Sequence, residues 1–395
     1  MLHPLTNPPT CTPQLQKLNE IARLLLAFGL ENDATTLGLA AIKAGNVKRL
    51  FAAYCKQQGK EETGKWLCNK PKLLTYLRAL LDIPLCNKDQ ILPAFDADQQ
   101  LENCFSSGQF NFLNIPVGNQ AALEIVGEIM RYFYKEVLRN AGVPGNLIGK
   151  PDILNRPYVV QSYRGNLKVC PGCDGEINAH PEEVRYDPDL DHFFPESKYP
   201  FVAIHPLNLV PLCGYCNQRV KRDKDIFDPA YGATSMDEIF HPFLRPARDE
   251  VVVKVERDPA DRREQVIIYP KVNNSANQTR LQHLNHILEL QQRWQITLQL
   301  EKYYDYAEQR LRDASLDERY SHNFQPDDAW LQKKLLNLAF DSYSIGKLPD
   351  AVVTQAYIKF VAQDTQSRVA KWLPYMESLC EGSRLMYNPA NGKTS

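Results

Sequence analysis

Two cysteine pairs, Cys170-Pro171-Gly172-Cys173 and Cys213-Gly214-Tyr215-Cys216, constrain this chain more than any other feature. Each pair holds two thiolates about one turn apart, the spacing at which both reach one tetrahedral metal at about 2.3 Å. Together they predict a structural zinc with four sulfur ligands and no open coordination position. The stretch from Asp174 to Leu212 is longer than in a simple zinc ribbon, so the metal must staple the two ends of an insertion. Structural zinc contributes on the order of 10 kcal/mol to small domains, and the local fold is expected to depend on it.

The rest of the composition sets bounds. A chain of 395 residues is long enough for two or three domains, and 44% hydrophobic with 24% charged residues is ordinary for a globular protein. A net charge of −1 excludes a basic coat for nucleic acid, although a local patch can still hold a polyanion. No apolar run approaches the roughly 18 residues that span a bilayer. The start, Met1 to Thr12, lacks the charged-then-apolar order of a secretory signal, so a cytoplasmic protein without a membrane partner is expected. In that compartment ten cysteines do not form a disulfide framework. Cys11, Cys55, Cys68, Cys86, Cys104 and Cys380 read as small buried hydrophobes.

Outside the cysteine region the apolar pattern is mainly helical, which makes the class α+β and mostly α. Leu15, Leu18, Ile21, Leu24, Leu25 and Leu26 recur near helical spacing, as do Val47, Leu50, Phe51 and Tyr54. Pro71 suits the first turn of a helix reaching Leu81. From Ile83 to Val117 the pattern weakens and turn residues accumulate. An amphipathic run from Leu123 to Leu138 closes at Asn140-Ala141-Gly142 and Pro144. Later, Val251 to Val255 and Gln265 to Tyr269 alternate as the strands of a hairpin. Helices are expected from Leu281 to about Leu311, Asp327 to about Tyr343 and Pro349 to about Leu379. Leu281, Leu284, Leu288, Leu298 and Leu300 should face a core. The expected organisation is a helical region over 1–150, a metal-bearing module over 151–232, and a hairpin with helices over 233–395.

Asp191-His192 and Asn208 lie between the cysteine pairs, and Asn217 follows the second pair directly. Cutting a phosphodiester needs an activated water and charge relief on the phosphate and the departing oxygen. A neutral histidine, with an ordinary pKa near about 6.5, can take the proton of that water, which makes His192 the candidate general base. Asp191 and Asn217 offer hard oxygen ligands suited to magnesium or manganese rather than zinc.

The run Asp191-His192-Phe193-Phe194-Pro195, Asn208-Leu209-Val210-Pro211-Leu212-Cys213 and Cys216-Asn217 resembles an HNH endonuclease, in the zinc-stapled form whose third position is asparagine. The likeness is confined to the segment between about residues 165 and 228. It implies a ββα-metal (His-Me finger) unit with strands at Leu190 to Phe194 and Leu209 to Leu212. A wide loop from Pro195 to Leu207 would carry Glu196, Ser197, Lys198 and His205, and a helix would run from about Gly214 to Arg222. It implies that Asn208 braces the loop and orients the histidine. It also implies DNA hydrolysis, with bacterial antiviral defence as the preferred context. No glycine loop of Walker type is present, so any ATP use would need a separate ATPase or sensor subunit.

Arg219, Lys221, Arg222 and Lys224 cluster after Asn217 and, with Lys198, are candidate contacts to DNA phosphates. Asp223 and Asp225 partly offset them, so a solvated helix end is the alternative. His205 reads as loop packing. His180 and His241 carry no role, although His241 could approach the site from the loop that follows. The residues alone leave two other functions open: a zinc-dependent module that holds nucleic acid or a partner without cutting, and a nuclease acting on RNA or single strands.

Overall fold

The structure is a computed structural model that describes residues 3–5, 9–38, 43–149, 153–164, 168–177, 189–228, 230, 233–260, 262–299, 302–315, 324–339 and 350–386. Helix α1 (Thr12–Glu31) starts with proline in its first turn and buries Leu15, Leu18, Ile21, Leu25 and Leu26. It packs with α2 (Ala44–Gln57) and α4 (Pro71–Leu81), while α3 (Glu61–Cys68) packs on α2 and α4. At Gly29 the contact with α4 is so close that a Cβ would stand 2.6 Å from Leu80 Cδ2. Beside it the buried ammonium of Lys88 donates to the carbonyls of Gly29, Asn32 and Leu80 at 2.8, 2.5 and 2.9 Å. One side chain thus satisfies the carbonyls that the ends of α1 and α4 leave unpaired. Burial pushes its pKa down to about 8.

The stretch from Ile83 to Val117, expected to be irregular, contains two helices, α5 (Ile91–Asp98) and α6 (Leu101–Ser107). With 8 and 7 residues they are too short for a period to emerge from the sequence. The amphipathic run is α7 (Gln120–Tyr132), which passes into a π-helical segment, Phe133–Ala141. Gly142, at φ 65°, ends it. A short antiparallel pair, β1 (Val143–Pro144) with β2 (Ile153–Leu154), encloses the single turn α8 (Gly145–Ile148) and leads into α9 (Arg156–Arg164).

The next strands, β3 (Asp189–His192) and β4 (Leu209–Leu212), pair antiparallel with His192 opposite Leu209 and Asp191 opposite Val210. Strand β3 stops two residues before the expected Phe194. The physical reason is Asn208, whose side chain accepts from Phe194 N at 2.7 Å and donates to Phe194 O at 3.1 Å. These bonds take the place of the ladder. The expected helix from Gly214 to Arg222 is largely a π-helical turn, Cys216–Lys221, that ends where Arg222 adopts φ 49°.

The hairpin is β5 (Val251–Arg257) paired with β6 (Glu264–Pro270). The expected helix from Leu281 divides into α10 (Ser275–Leu288), α11 (Leu290–Gln299) and α12 (Lys302–Ala314). Its first break is at Glu289, in the left-handed region at φ 54° with no glycine to announce it. Leu281, Leu284 and Leu288 are buried, whereas the side chains of Leu298 and Leu300 lie outside the described residues. The last helices are α13 (Asp328–Ala339), α14 (Ala351–Gln363) and α15 (Leu373–Met386). Cys11, Cys55, Cys68, Cys104 and Cys380 are buried as expected, but Cys86 is exposed on a surface turn. Among the described residues no helix is long and apolar enough to cross a membrane.

Buried side chains form two cores. One contains α1, α2, α4, α5 and α7 and takes in Leu190 and Leu209. The other contains the four paired cysteines, the hairpin and α10 to α15, and takes in Val210 and Leu212. Strands β3 and β4 therefore lie between the cores, anchored to both.

Candidate active-site cleft and metal cluster

The four paired cysteines are buried, and their sulfurs lie within 4.8 Å of one another. A tetrahedral metal with bonds of about 2.3 Å requires sulfurs roughly 3.8 Å apart, and Cys173 Sγ and Cys213 Sγ are separated by 3.9 Å. The cluster can hold a metal ion such as zinc. Local backbone shapes it: Asp174 N donates to Cys170 O at 2.9 Å, and the amides of Cys213 and Cys216 point at Cys170 Sγ and Cys213 Sγ at 3.3 and 3.4 Å. Gly172 sits where a Cβ would crowd Leu212 at 3.1 Å. Burial pushes the Cys170 thiol well above its ordinary pKa, so a cation among the sulfurs is what makes a full set of thiolates tenable. Arg293 of α11 places Nη1 3.1 Å from Cys216 Sγ, with its guanidinium 4.8 Å from the Tyr215 ring centroid. Burial works against that charge, but the neighbouring sulfurs of Cys216 and Cys173 hold its pKa above the ordinary value.

A cleft of about 330 Å³ lies beside this cluster, lined by Asp191, His192, Glu196, Asn217, Lys221 and Arg222 on one wall. His192 closes β3 and is 6% exposed. Its Nε2 lies 2.7 Å from Ala203 O. A carbonyl can only accept, so Nε2 carries the proton and Nδ1 keeps its lone pair. Burial drives the His192 pKa down to about 4, which keeps the imidazole neutral at ordinary pH. Nδ1 faces Glu196 Oε2 at 3.9 Å, too far for a direct hydrogen bond. That oxygen is buried without a hydrogen-bond partner, while Glu196 Oε1 meets Lys135 Nζ at 2.5 Å.

Asp191 and His192, neighbours at the end of β3, both line the cleft. Lys221, only 1% exposed, sets its Nζ 2.8 Å from Asp191 Oδ2 and donates to His192 O at 2.6 Å. Asp191 Oδ2 has no hydrogen bond of good geometry, so the contact is an ion pair that leaves the oxygen with capacity to spare. Asn217 lines the same cleft from the start of the π-helical turn. Asn208 stays out of it. Fully buried, it uses its amide on Phe194 and also donates to Val202 O at 2.9 Å, clamping both ends of the loop that carries Glu196.

The five cations expected to meet phosphate do not act together. Lys198 pairs with Asp225 at 3.0 Å, and Lys224 with Glu289 at 3.1 Å. Lys221 is turned inward, and Arg219 is exposed without lining the cleft. Arg222 alone of the five is an exposed cation on the cleft wall. His205 packs the loop, with Nε2 3.2 Å from Gln99 O, and burial lowers its pKa to about 4. His241 does not approach the site: it is buried among Phe105, Phe193 and Phe194. His180 lies outside the described residues.

The opposite wall was not foreseen. It consists of Tyr134, Lys135, Leu138 and Arg139 from the π-helical segment after α7, with Arg156 and Val159 from α9. The Tyr134 ring stands edge-on to His192 at 4.1 Å, and its hydroxyl donates to Leu190 O at 2.6 Å. Burial pushes the Tyr134 pKa up, so it remains a neutral donor. The period of the 123–138 run signals only a helix. Positions 134, 135, 138 and 139, one and four residues apart, share one side of this segment.

No known family model, curated protein or solved structure matches the chain.

Proposed function

We propose that the chain is a metal-dependent endonuclease of the HNH type that hydrolyses phosphodiester bonds in DNA. One observation carries this reading: a neutral imidazole with its Nε2 proton committed to Ala203 O, sharing a cleft with an aspartate and an asparagine beside four clustered cysteines able to hold a metal. His192 Nδ1 accepts a proton from a water that Glu196 Oε2 helps to orient, and the water oxygen bonds to phosphorus as one ester P–O bond breaks. Asp191 and Asn217 supply oxygen donors, the set that suits magnesium or manganese. When bound there, such an ion supplies charge neutralisation at the phosphate and the departing oxygen. Lys221 holds the β3 end against the π-helical turn, which fixes Asp191 relative to Asn217. Asn208 fixes the loop beyond His192. A defence role is in keeping with a nuclease buried between larger helical regions, which offer surfaces for a separate sensor or ATPase.

Plasmid nicking with magnesium or manganese, comparing wild type with His192→Ala, tests the reading. The expected outcome is cutting by wild type and a loss of at least about 100-fold in the variant. A wild-type protein that binds DNA without ever cutting it, or a His192→Ala variant that cuts as well as wild type, would overturn the proposal in favour of a non-cutting binding module. Parallel digests of duplex, single-stranded DNA and RNA separate DNA cleavage from the RNA or single-strand alternative.

A further inference from the structure

We infer that the N-terminal helical region supplies the phosphate-binding half of this cleft, with Arg139 as its principal contact and Lys135 and Arg156 beside it. The inference rests on the nuclease reading for the identity of the ligand, a DNA strand, but not for the existence of the binding surface. The catalytic wall cannot hold a polyanion by itself. Asp191, Glu196 and Asp223 line it, against Lys221, which is buried on Asp191, and Arg222. The facing wall contributes three cations and no carboxylate. Lys135 and Arg139 are four residues apart in a π-helical segment, so both ammonium and guanidinium project to the same side as Tyr134 and Leu138.

Arg139 is exposed on the cleft rim and, among the described residues, makes no hydrogen bond or ion pair. Lys135 is occupied by Glu196 across the cleft. An arriving phosphate can take over that ammonium and release the Glu196 carboxylate toward the water at His192. A guanidinium fork binds phosphate oxygens in bidentate fashion and stays charged at every working pH. The phosphate it meets is one next to the cut linkage on the same strand, because the base and the guanidinium face each other across a single narrow cleft. The contact positions the strand and reads no sequence.

The test measures binding of fluorescein-labelled DNA, duplex and single-stranded, to the full chain carrying His192→Ala, so that cutting plays no part. Arg139→Ala is added to that background, with Arg139→Lys as the conservative change and Lys56→Glu, on the exposed end of α2 far from the cleft, as the control for net charge. Removing Arg139 is expected to weaken binding by about three- to tenfold and to lower the slope of log affinity against log salt by about one. Arg139→Lys should restore most of both, and Lys56→Glu should change neither. Equal thermal midpoints would confirm that the variants fold. Affinity and salt slope unchanged by Arg139→Ala, or lowered equally by Lys56→Glu, would overturn the inference, as would an absence of DNA binding in the His192→Ala parent. If Arg139 governs binding while the wild type never cuts, the binding wall stands and the nuclease reading falls.

Discussion

The cysteine cluster and the cleft beside it share the same short strands, but they are built in opposite ways. The cluster is made from two local pairs, closed on every side, with backbone amides and one arginine directed at its sulfurs. The cleft is made from two distant parts of the chain and is open between them. One is a staple whose strength lies in completeness. The other keeps oxygen atoms of Asp191 and Glu196 short of hydrogen-bond partners, a cost that leaves them free to take up a ligand or water. The difference predicts that damage to the cluster appears as lost folding, and damage to the cleft as lost chemistry.

The largest effect that could break this contrast is loss of the metal. Cys213→Ser, or a strong chelator, is expected to cost on the order of 10 kcal/mol locally and to unfold the segment that carries His192. Thermal unfolding with metal analysis measures it, and a midpoint that ignores chelation would remove the staple from the argument. Asn208→Ala comes next. It deletes three hydrogen bonds and leaves Phe194 N–H buried and unpaired, for an expected loss of about 3 kcal/mol by chemical denaturation. Because Asn208 touches only the loop and not the cleft, any surviving folded protein should retain metal in the cluster.

Acid should weaken the folded chain in a defined window. His205 and His283 are both lowered to about 4 by burial, against about 6.5 in the unfolded chain. Between those values the unfolded state binds more protons, so their contribution is complete above about pH 6.5 and is lost as pH falls toward 4, by roughly 3 kcal/mol each. Denaturation midpoints across that range measure the slope, and His283→Gln should flatten it. The smallest effect belongs to Lys198→Ala. Its exposed pair with Asp225 is worth less than about 1 kcal/mol, and DNA affinity should hardly change. A large loss of binding there would place the phosphate contacts back on the wall where the sequence pattern put them.

Legibility in the sequence followed the same division. The four cysteines, the two strands, Asn208 and the hairpin could be read directly, because each depends on residues close in the chain or on an obligatory ligand spacing. The facing wall could not, because Tyr134, Lys135 and Arg139 reach the site only through tertiary packing, which a helical period does not announce. The partners of the basic residues around Asn217 were hidden for a related reason. Counting charges ignores partners, and Asp225, Glu289 and Asp191 each absorb a lysine. Likewise Glu289 breaks the helix at 289 in a left-handed conformation that no local signal requires.

Asp174, the residue directly after Cys173, has a consequence for how the molecule is made. Its carboxylate meets His3 Nε2 at 2.5 Å and accepts from Val352 N at 2.7 Å, and its carbonyl accepts from Asp350 N at 2.7 Å. During translation the sulfur ligands leave the ribosome well before residues 350 to 352 exist. Until those residues arrive, this carboxylate has no α14 to rest against, so final setting of the cysteine-bearing segment waits on nearly the whole polypeptide.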